Sequence, residues 1–398
     1  MIMNLPLENI KVLDLTRVLA GPFCTMILSD LGAEVVKLEM PVTGDDARGF
    51  GPFKNGKSLY FVSINRNKKS ISLNLKSEKG KQIFKQLLPQ FDVLVENFRP
   101  GTMERLGLGY EILKEIHPGL VYAASSGFGH SGPYSERPSY DILAQAMGGI
   151  MSITGWPDSP PTRVGMSLGD ITASLYTAIG INAALYQRTR TGIGQKIDIS
   201  MLDCQVSILE NALTRFQVEG KSPKPIGNRH PTITPFQAFK ASDGYFVIAV
   251  GNDNLWRTFC NAIQREDLID DPRFMTNGFR TQNVDTLTAI LEPVFAEKSS
   301  GEWLKIIKEA KIPCAPINSV DKLFDDLQIQ ARNMIVDVHD KEAGDIKISG
   351  NPIKMTAVPE VSHRQPAPDV GEHNEALFRR LLGLDNESIQ KLRDEGVI

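Results

Sequence analysis

The chain has 398 residues, of which 41% are apolar and 23% charged, and its 44 basic and 47 acidic residues leave a net charge of −3. This composition predicts a globular protein of two or three domains with a large core, excludes intrinsic disorder, and gives no electrostatic footprint for nucleic acid. Its cysteines are far apart and form no C-x-x-C pair, which excludes a compact zinc site or a disulfide scaffold and favours a reducing compartment: Cys24, Cys204, Cys260 and Cys314.

The first residues, MIMNLPLENI, contain neither a basic region nor an apolar one. No apolar run along the chain reaches the length of a membrane span. We therefore expect a cytoplasmic protein without a signal peptide.

The first half of the chain alternates short β-branched runs with longer helical patterns. Helices are predicted at Phe23–Leu31, which Gly32 follows, and at Glu78–Leu88, which Pro89 ends. Strand, helix, strand at this spacing predicts a parallel sheet with helices on its faces. The predicted strands are Lys11–Leu15, Ala33–Leu38, Asp92–Glu96 and Leu120–Ala124.

The longest helical pattern covers Ile171–Arg190, with Asp170 at its predicted N-cap and Gly192 beyond its end. A strand at Gln195–Ser200 and a helix over residues 202–216 follow it. Proline and glycine then accumulate over residues 220–235, which predicts a linker into a second domain that opens with a strand at Tyr245–Val250. Two short helices, Ala376–Leu382 and Glu387–Glu395, are predicted near the end.

Three short motifs match enzyme signatures, but their contexts do not fit. Residues 51–58 match the P-loop, yet no strand leads into them and SLYFVSI behind them is too short for the required helix. Gly127, Gly129 and Gly132 match the dinucleotide fingerprint, but Pro133 follows where a helix should begin. Residues 165–169 match the nucleophile elbow around Ser167, without the buried strand that an elbow needs.

Asp170 is the residue with the clearest chemistry. An N-cap aspartate can be purely structural, since it accepts hydrogen bonds from first-turn N–H groups. The same position favours the ionised carboxylate through the helix dipole, and an ionised carboxylate can act as a nucleophile. The nearby Gly165 and Gly169 would let a large electrophile approach the backbone.

Several segments resemble the class III CoA-transferases, the CaiB/BaiF family that includes formyl-CoA transferase and carnitine CoA-transferase. The resemblance runs in order from about Leu7 to the last residue, and its segments include VLDLTRVLAGPFCTMILSDLGAEVVKLE, GDDAR, NRNKKSISLNLK, VENFRPGTMERLGLGY, SGFGHSGPYSERPSYD and VGMSLGD. It implies a Rossmann-like parallel-sheet large domain at residues 1–225, a smaller α/β domain at 226–325, and a C-terminal return to the large domain at 326–398. It also implies an interlocked homodimer.

The same resemblance implies that Asp170 attacks the acyl-CoA thioester, forming a mixed anhydride and then an aspartyl-CoA thioester from which the acceptor acid takes CoA. CoA enters as a substrate, and no permanently bound cofactor or metal is expected. Carried over by position, Tyr140 and Asp141 lie near the reacting carbonyl. The remaining implied CoA contacts are Arg17, Leu19, Ala20, Leu73, Leu75, Asn97, Phe98 and Arg105.

The sequence departs from formyl-CoA transferase at the site. Leu19 replaces a glutamine, Met40 an arginine and Pro138 a lysine, and the run of consecutive glycines is missing. Other segments look closer to the subgroup that uses succinyl-CoA and dicarboxylic acceptors, in which Arg229 or His230 could hold the distal carboxylate.

Two other activities stay open. An acyl-CoA hydrolase could work through Ser167 or through water reaching the aspartyl anhydride. The α-methylacyl-CoA racemases of the same family use a histidine directly before an aspartate, and Tyr140 occupies that position here.

Overall fold

The structure is a computed structural model that describes residues 5–398, and the chain forms two compact units. The first unit contains residues up to 150, 163–214 and 327–398, and the second contains 151–162 and 215–326. The three domain ranges given above stay a prediction.

The strands of the described chain are β1 Lys11–Asp14, β2 Glu34–Glu39, β3 Phe53–Lys54, β4 Lys57–Ser58, β5 Lys69–Ser72, β6 Val93–Glu96, β7 Val121–Ser126, β8 Lys196–Ser200, β9 Phe236–Lys240, β10 Tyr245–Ala249, β11 Cys314–Pro316, β12 Ile335–Asp340, β13 Gly344–Ser349 and β14 His363–Arg364.

The α-helices are α1 Ala20–Asp30, α2 Leu59–Asn65, α3 Glu78–Leu87, α4 Thr102–Arg105, α5 Tyr110–Ile116, α6 Asp141–Met147, α7 Ile150–Ile153, α8 Leu168–Thr191, α9 Met201–Ser207, α10 Ala212–Glu219, α11 Asp253–Ala262, α12 Asn277–Gln282, α13 Val284–Ala296, α14 Ser300–Glu309, α15 Leu327–Ala331, α16 Asn374–Leu382 and α17 Asn386–Asp394. Single 3₁₀ turns occur at Asp46–Gly49, Leu88–Gln90, Glu266–Leu268 and Val320–Phe324.

The first unit is built on a six-stranded sheet in the order β5-β2-β1-β6-β7-β8, and every pairing in it is parallel. All four residues of β6 are buried, as expected for a strand with helices on both faces. The chain moves outward from β1 through β2 to β5, and then from β6 through β7 to β8. The connection direction therefore reverses between β1 and β6, which is where open α/β sheets bind ligands.

Alternate residues of the strands enter two different cores. Leu13 and Val36 pack with residues of α3, α16 and α17 on one face. Val12 and Val35 pack on the other face with α1 and α8. The α/β class with a parallel sheet is thus confirmed, and α8 is fixed against the same face as α1.

The four strands predicted in the first half are confirmed within two residues at each end. The first predicted helix begins earlier, at Ala20, because Pro22 is tolerated in a first turn, where its missing N–H is not needed. The continuous helix predicted over residues 202–216 is wrong. It is broken between α9 and α10, where Glu210 adopts a left-handed φ of 55°.

The C-terminal segment of the first unit completes its sheet edge. The backbone N–H and C=O of Ser70 in β5 bond to His373, and the Ser72 N–H donates to Asn374 Oδ1 at 2.8 Å. Leu377 and Phe378 of α16 then enter the core below that edge. Both predicted C-terminal helices are confirmed, each starting slightly earlier than expected.

The second unit contains an antiparallel three-stranded sheet, β11-β10-β9, covered by helices. Its core centres on Phe295, whose ring packs against Phe239, Phe246 and Trp303. The predicted linker over residues 220–235 has no regular secondary structure, and the predicted strand at Tyr245 is confirmed as β10. In the described chain, no helix combines the length and apolarity needed to cross a bilayer.

Candidate active site

A cavity of about 450 Å³ opens in the first unit at the carboxyl ends of β1, β6 and β7, where the connection direction reverses. It brings together most of the residues predicted to bind or react with substrate. Its lining includes Arg17, Val18, Leu19, Ala20, Asp46, Asn97, Phe98, Arg99, Arg137, Tyr140, Asp170 and Met201.

The loops after β1 and β6 are joined by a reciprocal pair of hydrogen bonds. The Arg17 backbone N–H donates to Asn97 Oδ1, and Asn97 Nδ2 donates to the Arg17 carbonyl, each at 2.8 Å. The Arg17 guanidinium forms an ion pair with Asp46. One side of the cavity is therefore fixed by backbone contacts.

Asp170 lies in the first turn of α8. The prediction that Asp170 is the N-cap of this helix was wrong. The helix begins at Leu168 with Ser167 as N-cap, which makes Asp170 its third residue. Ser174, one turn on, lies with its Oγ 2.7 Å from the Asp170 carbonyl and 2.6 Å from the Ala20 carbonyl. The start of α8 is thereby tied to the start of α1.

Burial, and to a lesser degree the neighbouring Asp141 carboxylate, raises the pKa of Asp170 from 3.8 to about 7. This shift runs against the expectation of a permanently ionised carboxylate, because loss of hydration and like-charge repulsion both disfavour the charged form. A carboxylate that titrates near neutrality is basic enough to be a good nucleophile and still substantially ionised at pH 7.

Asp141 acts as the missing cap of α8. Ser167 makes no side-chain capping bond, but the Gly169 N–H donates to Asp141 Oδ1 at 2.7 Å. Gln145 Nε2 donates to both Asp141 oxygens, and its own Oε1 accepts the Val164 N–H at 2.9 Å. Asp141 is buried behind the cavity lining and therefore fixes the backbone on which Asp170 stands.

Besides Asp141, three predicted contacts do not line the cavity with their side chains. Leu73 is fully buried and Leu75 is 7% exposed, both in the apolar core, so contacts with adenine would have to use their backbone. Arg105 donates to Thr102 Oγ1 at 2.9 Å and lines a neighbouring surface depression together with Lys81 and Lys85. Glu78 and Glu104 line the same depression, and Lys81 pairs with Glu78, so its charge is mixed.

Sequence reasoning missed Tyr60, in α2. Burial and the charges of Asp170 and Asp45 raise the pKa of its phenol to about 12, so its hydroxyl stays protonated at neutral pH. No motif spacing marks this residue. Its helix, α2, directly follows the P-loop match, where the sequence predicted no helix.

The three enzyme motifs have structural explanations. Ser58 caps α2 through the Phe61 N–H, a helix that the sequence had not predicted, and Lys57 is held by Asp340 and Asp369. The glycine run after β7 is a turn rather than a helix start, and residues 160–166 before Ser167 form no strand. Among the described residues no group of side chains suits a metal ion.

His130, the histidine closest in sequence to Tyr140, lies in a polar cluster beside the cavity. Its Nδ1 is 3.0 Å from Lys196 Nζ and its Nε2 is 3.8 Å from Glu96 Oε1. Burial raises the pKa of Glu96 to about 7. The same Glu96 accepts the Phe98 N–H, so the cluster supports the cavity wall.

Fold and cavity together define an α/β protein that presents a titratable carboxylate, on a helix start, to a ligand at the sheet's switch point. The model of CoA-transferase family III matches residues 7–374. The chain belongs to this family and is a class III CoA-transferase.

Named relatives and a solved structure extend this comparison. The chain is 45% identical over 373 residues to an acetyl-CoA:oxalate CoA-transferase of Acetobacter aceti, covering 94% of this chain and 95% of that one. It is 41% identical to the succinyl-CoA:glutarate CoA-transferase of Mus musculus, covering 99% and 90%. A CaiB/BaiF family protein from Brucella suis has a similar structure, with a TM-score of 0.83, 40% identity and coverage of 95% and 100%.

Proposed function

We propose that this chain transfers CoA from succinyl-CoA to a small dicarboxylic acid through covalent intermediates on Asp170. The observation that carries the proposal is the position of Asp170: on the cavity, at a helix start, with a pKa of about 7.

The proposed reaction is a series of acyl transfers, and each step forms one bond to a carbonyl carbon and breaks another. The Asp170 carboxylate adds to the thioester carbonyl and expels CoA thiolate, leaving a mixed anhydride. The thiolate attacks the Asp170 carbonyl, releasing the donor acid and forming an aspartyl-CoA thioester. The acceptor carboxylate displaces the thiolate to form a second anhydride, and the thiolate attacks its acceptor carbonyl, regenerating Asp170.

The cavity is lined by three arginines and two aspartates, Asp46 and Asp170, which leaves an excess of positive charge for anionic substrates. Arg17, Arg99 and Arg137 line it, and the Arg137 guanidinium stacks on the Tyr134 ring at 4.0 Å. Arginine suits carboxylate and phosphate recognition because its donors form a planar fork. Such a lining favours a CoA ester together with a small acid.

The dicarboxylic acceptor is supported by the names of relatives. Besides those for oxalate and glutarate, a succinyl-CoA:mesaconate CoA-transferase of Haloarcula hispanica is 41% identical over 383 residues. We propose that Arg229 or His230 holds the distal carboxylate. Arg229 lines a cavity of the second unit and pairs with the exposed Asp285 at 2.7 Å, a partner that an acid could replace.

The CoA contacts proposed at Arg17, Leu19, Ala20, Asn97 and Phe98 are supported by their common cavity. Those at Leu73, Leu75 and Arg105 rest on the family resemblance alone.

The homodimer is part of the proposal. On α8, Leu175, Ile179 and Tyr186 are 44%, 63% and 66% exposed at helical spacing, and Ile142 and Met147 of α6 are also exposed. An exposed apolar stripe of this kind is typical of an interface. Light scattering after size exclusion should give twice the 44.0 kDa chain mass, and a monomer at micromolar concentration would contradict it.

The defining experiment supplies succinyl-CoA, and separately acetyl-CoA, with a panel of mono- and dicarboxylic acids and detects new CoA esters by mass spectrometry. We expect new esters with dicarboxylic acids and none with Asp170→Asn. Hydroxylamine added during turnover should modify the Asp170 peptide of the wild type.

Other outcomes would favour the alternatives. If CoA is released at the same rate whichever acid is added, the protein is a hydrolase. If Asp170→Asn still releases CoA, the hydrolysis uses Ser167 rather than Asp170. Exchange of an α-proton without transfer would indicate a racemase. The position of His130 in the Glu96 cluster argues against that activity.

A further inference from the structure

The loop between β1 and α1 contains a backbone conformation that its sequence does not favour. Val18 has a φ of 66°, in the left-handed region that β-branched residues rarely enter. Glycine would adopt this conformation freely. The surroundings of Val18 must therefore impose this conformation. Val18 lines the cavity, so the imposed conformation shapes the proposed substrate site.

Asp45 supplies the contact that holds Val18. The Val18 N–H donates to Asp45 Oδ1 at 3.0 Å, and the same oxygen accepts the Ala47 N–H at 2.9 Å. The other oxygen, Oδ2, lies 2.8 Å from Lys37 Nζ, in an ion pair whose side chains are 1% and 0% exposed. Lys37 Nζ also donates to the Thr16 carbonyl at 2.7 Å, so one buried pair grips the loop on both sides of Arg17.

The other charged groups around Asp45 keep it in place. Its own N–H donates to Glu39 Oε2 at 3.0 Å, and Arg48 pairs with Glu39 at 2.8 Å. Lys37, the nearest cation, keeps the pKa of Asp45 below its usual range against the effect of burial, so the carboxylate stays ionised.

The loop is connected to the backbone of Asp170 by short contacts. Two residues after Val18, the Ala20 carbonyl lies 2.6 Å from Ser174 Oγ, which also contacts the Asp170 carbonyl. A change in the loop would therefore shift α1 relative to the first turn of α8.

We propose that Asp45 is a positioning residue for CoA transfer: by holding Val18 in the left-handed conformation, it sets the cavity wall formed by Arg17–Ala20 relative to Asp170. This rests on the proposed function. The GDDAR segment that contains Asp45 thereby gains a role that its sequence alone does not assign.

A double-mutant cycle tests the proposal with Asp45→Ala, which removes the oxygen that accepts the Val18 N–H, with Val18→Gly, and with the combined variant. Glycine adopts a φ of 66° without help, so it removes the need for the clamp. We expect Asp45→Ala to lower kcat at least tenfold in the Val18 protein and less than threefold in the Val18→Gly protein. A loss of equal size in both backgrounds would overturn the proposal, because a merely structural role for Asp45 gives no such rescue.

A second variant covers the case in which Asp45→Ala fails to fold because Lys37 loses its partner. Asp45→Glu keeps the negative charge for Lys37 but displaces the oxygen that accepts the Val18 N–H. The same rescue by Val18→Gly is expected, and its absence in a variant with a native circular dichroism spectrum would overturn the proposal.

CoA binding separates this proposal from the proposed function. Calorimetry with CoA alone should show the dissociation constant rising at least threefold with Asp45→Ala, and Val18→Gly should remove that rise. A wild type that binds CoA and shows this rescue, but transfers it to no acid, would contradict only the proposed function. A wild type that transfers CoA without any rescue would contradict only the role of Asp45.

Discussion

Replacement of Asp170 by asparagine should stabilise the protein at neutral and alkaline pH while abolishing transfer. In the folded chain its pKa is raised from 3.8 to about 7, chiefly by burial. A group whose folded pKa is raised binds more protons folded than unfolded, so stability falls as pH rises between these two values. Above pH 7 the whole cost of the buried charge is present, and below 3.8 none of it is.

The size of the effect follows from the same two values. A pKa raised from 3.8 to about 7 corresponds to up to about 4 kcal/mol, since each unit is worth about 1.4 kcal/mol. Because the side chain is partly exposed, solvent screening lowers the expectation to about 2–3 kcal/mol. Asparagine has the shape of the protonated acid and does not titrate, so the variant avoids this cost.

The assay is denaturant unfolding of wild type and Asp170→Asn at intervals from pH 4.5 to 8.5. The stability difference should grow in favour of the variant across this range and level off above pH 7. Asp46→Asn, on the same cavity, is the control: it loses an ion pair with Arg17 and should gain no stability. A difference between Asp170→Asn and wild type that does not vary with pH would refute the reasoning.

Three further results are expected. Gly21→Ala should lose most stability and activity, because its Cβ would lie 2.2 Å from the side chain of Thr16. Gly301→Ala, with open space around it, should change the unfolding midpoint little. Arg280→Met should destabilise the second unit by about 3–5 kcal/mol, since this fully buried guanidinium donates to two carbonyls and a carboxylate. The control Arg273→Met, on the surface, should cost under about 1 kcal/mol. The kcat/KM of transfer should fall below pH 7 as Asp170 protonates, and an acid limb near pH 4 in the rate profile would contradict the raised pKa.

The parallel sheet could be predicted because its strands, such as β6, are apolar on both faces and end at clear turn signals. The site residues that follow β1 and β6 were brought together for the same reason: parallel strands present their carboxyl ends at one edge. Local pattern was sufficient for these features.

Features that depend on distant contacts could not be predicted. The cap of α8 comes from Asp141, which lies 28 residues before Gly169, so the helix begins earlier than the sequence near Asp170 suggested. The pKa of Asp170 depends on burial, which a helix-dipole argument from sequence omits. Likewise, nothing in GDDAR indicates that its first aspartate holds the backbone of Val18.

The edge strand β5 is covered by residues translated some 300 positions later, through the bonds of Ser70 and Ser72 to His373 and Asn374. During synthesis this edge of β5 therefore stays uncovered until residues 373 and 374 have left the ribosome. An uncovered strand edge is a template for pairing with other chains. Residues 373 and 374 thus protect β5 from pairing with other chains. A chain that ends before residue 370 should accumulate as aggregates.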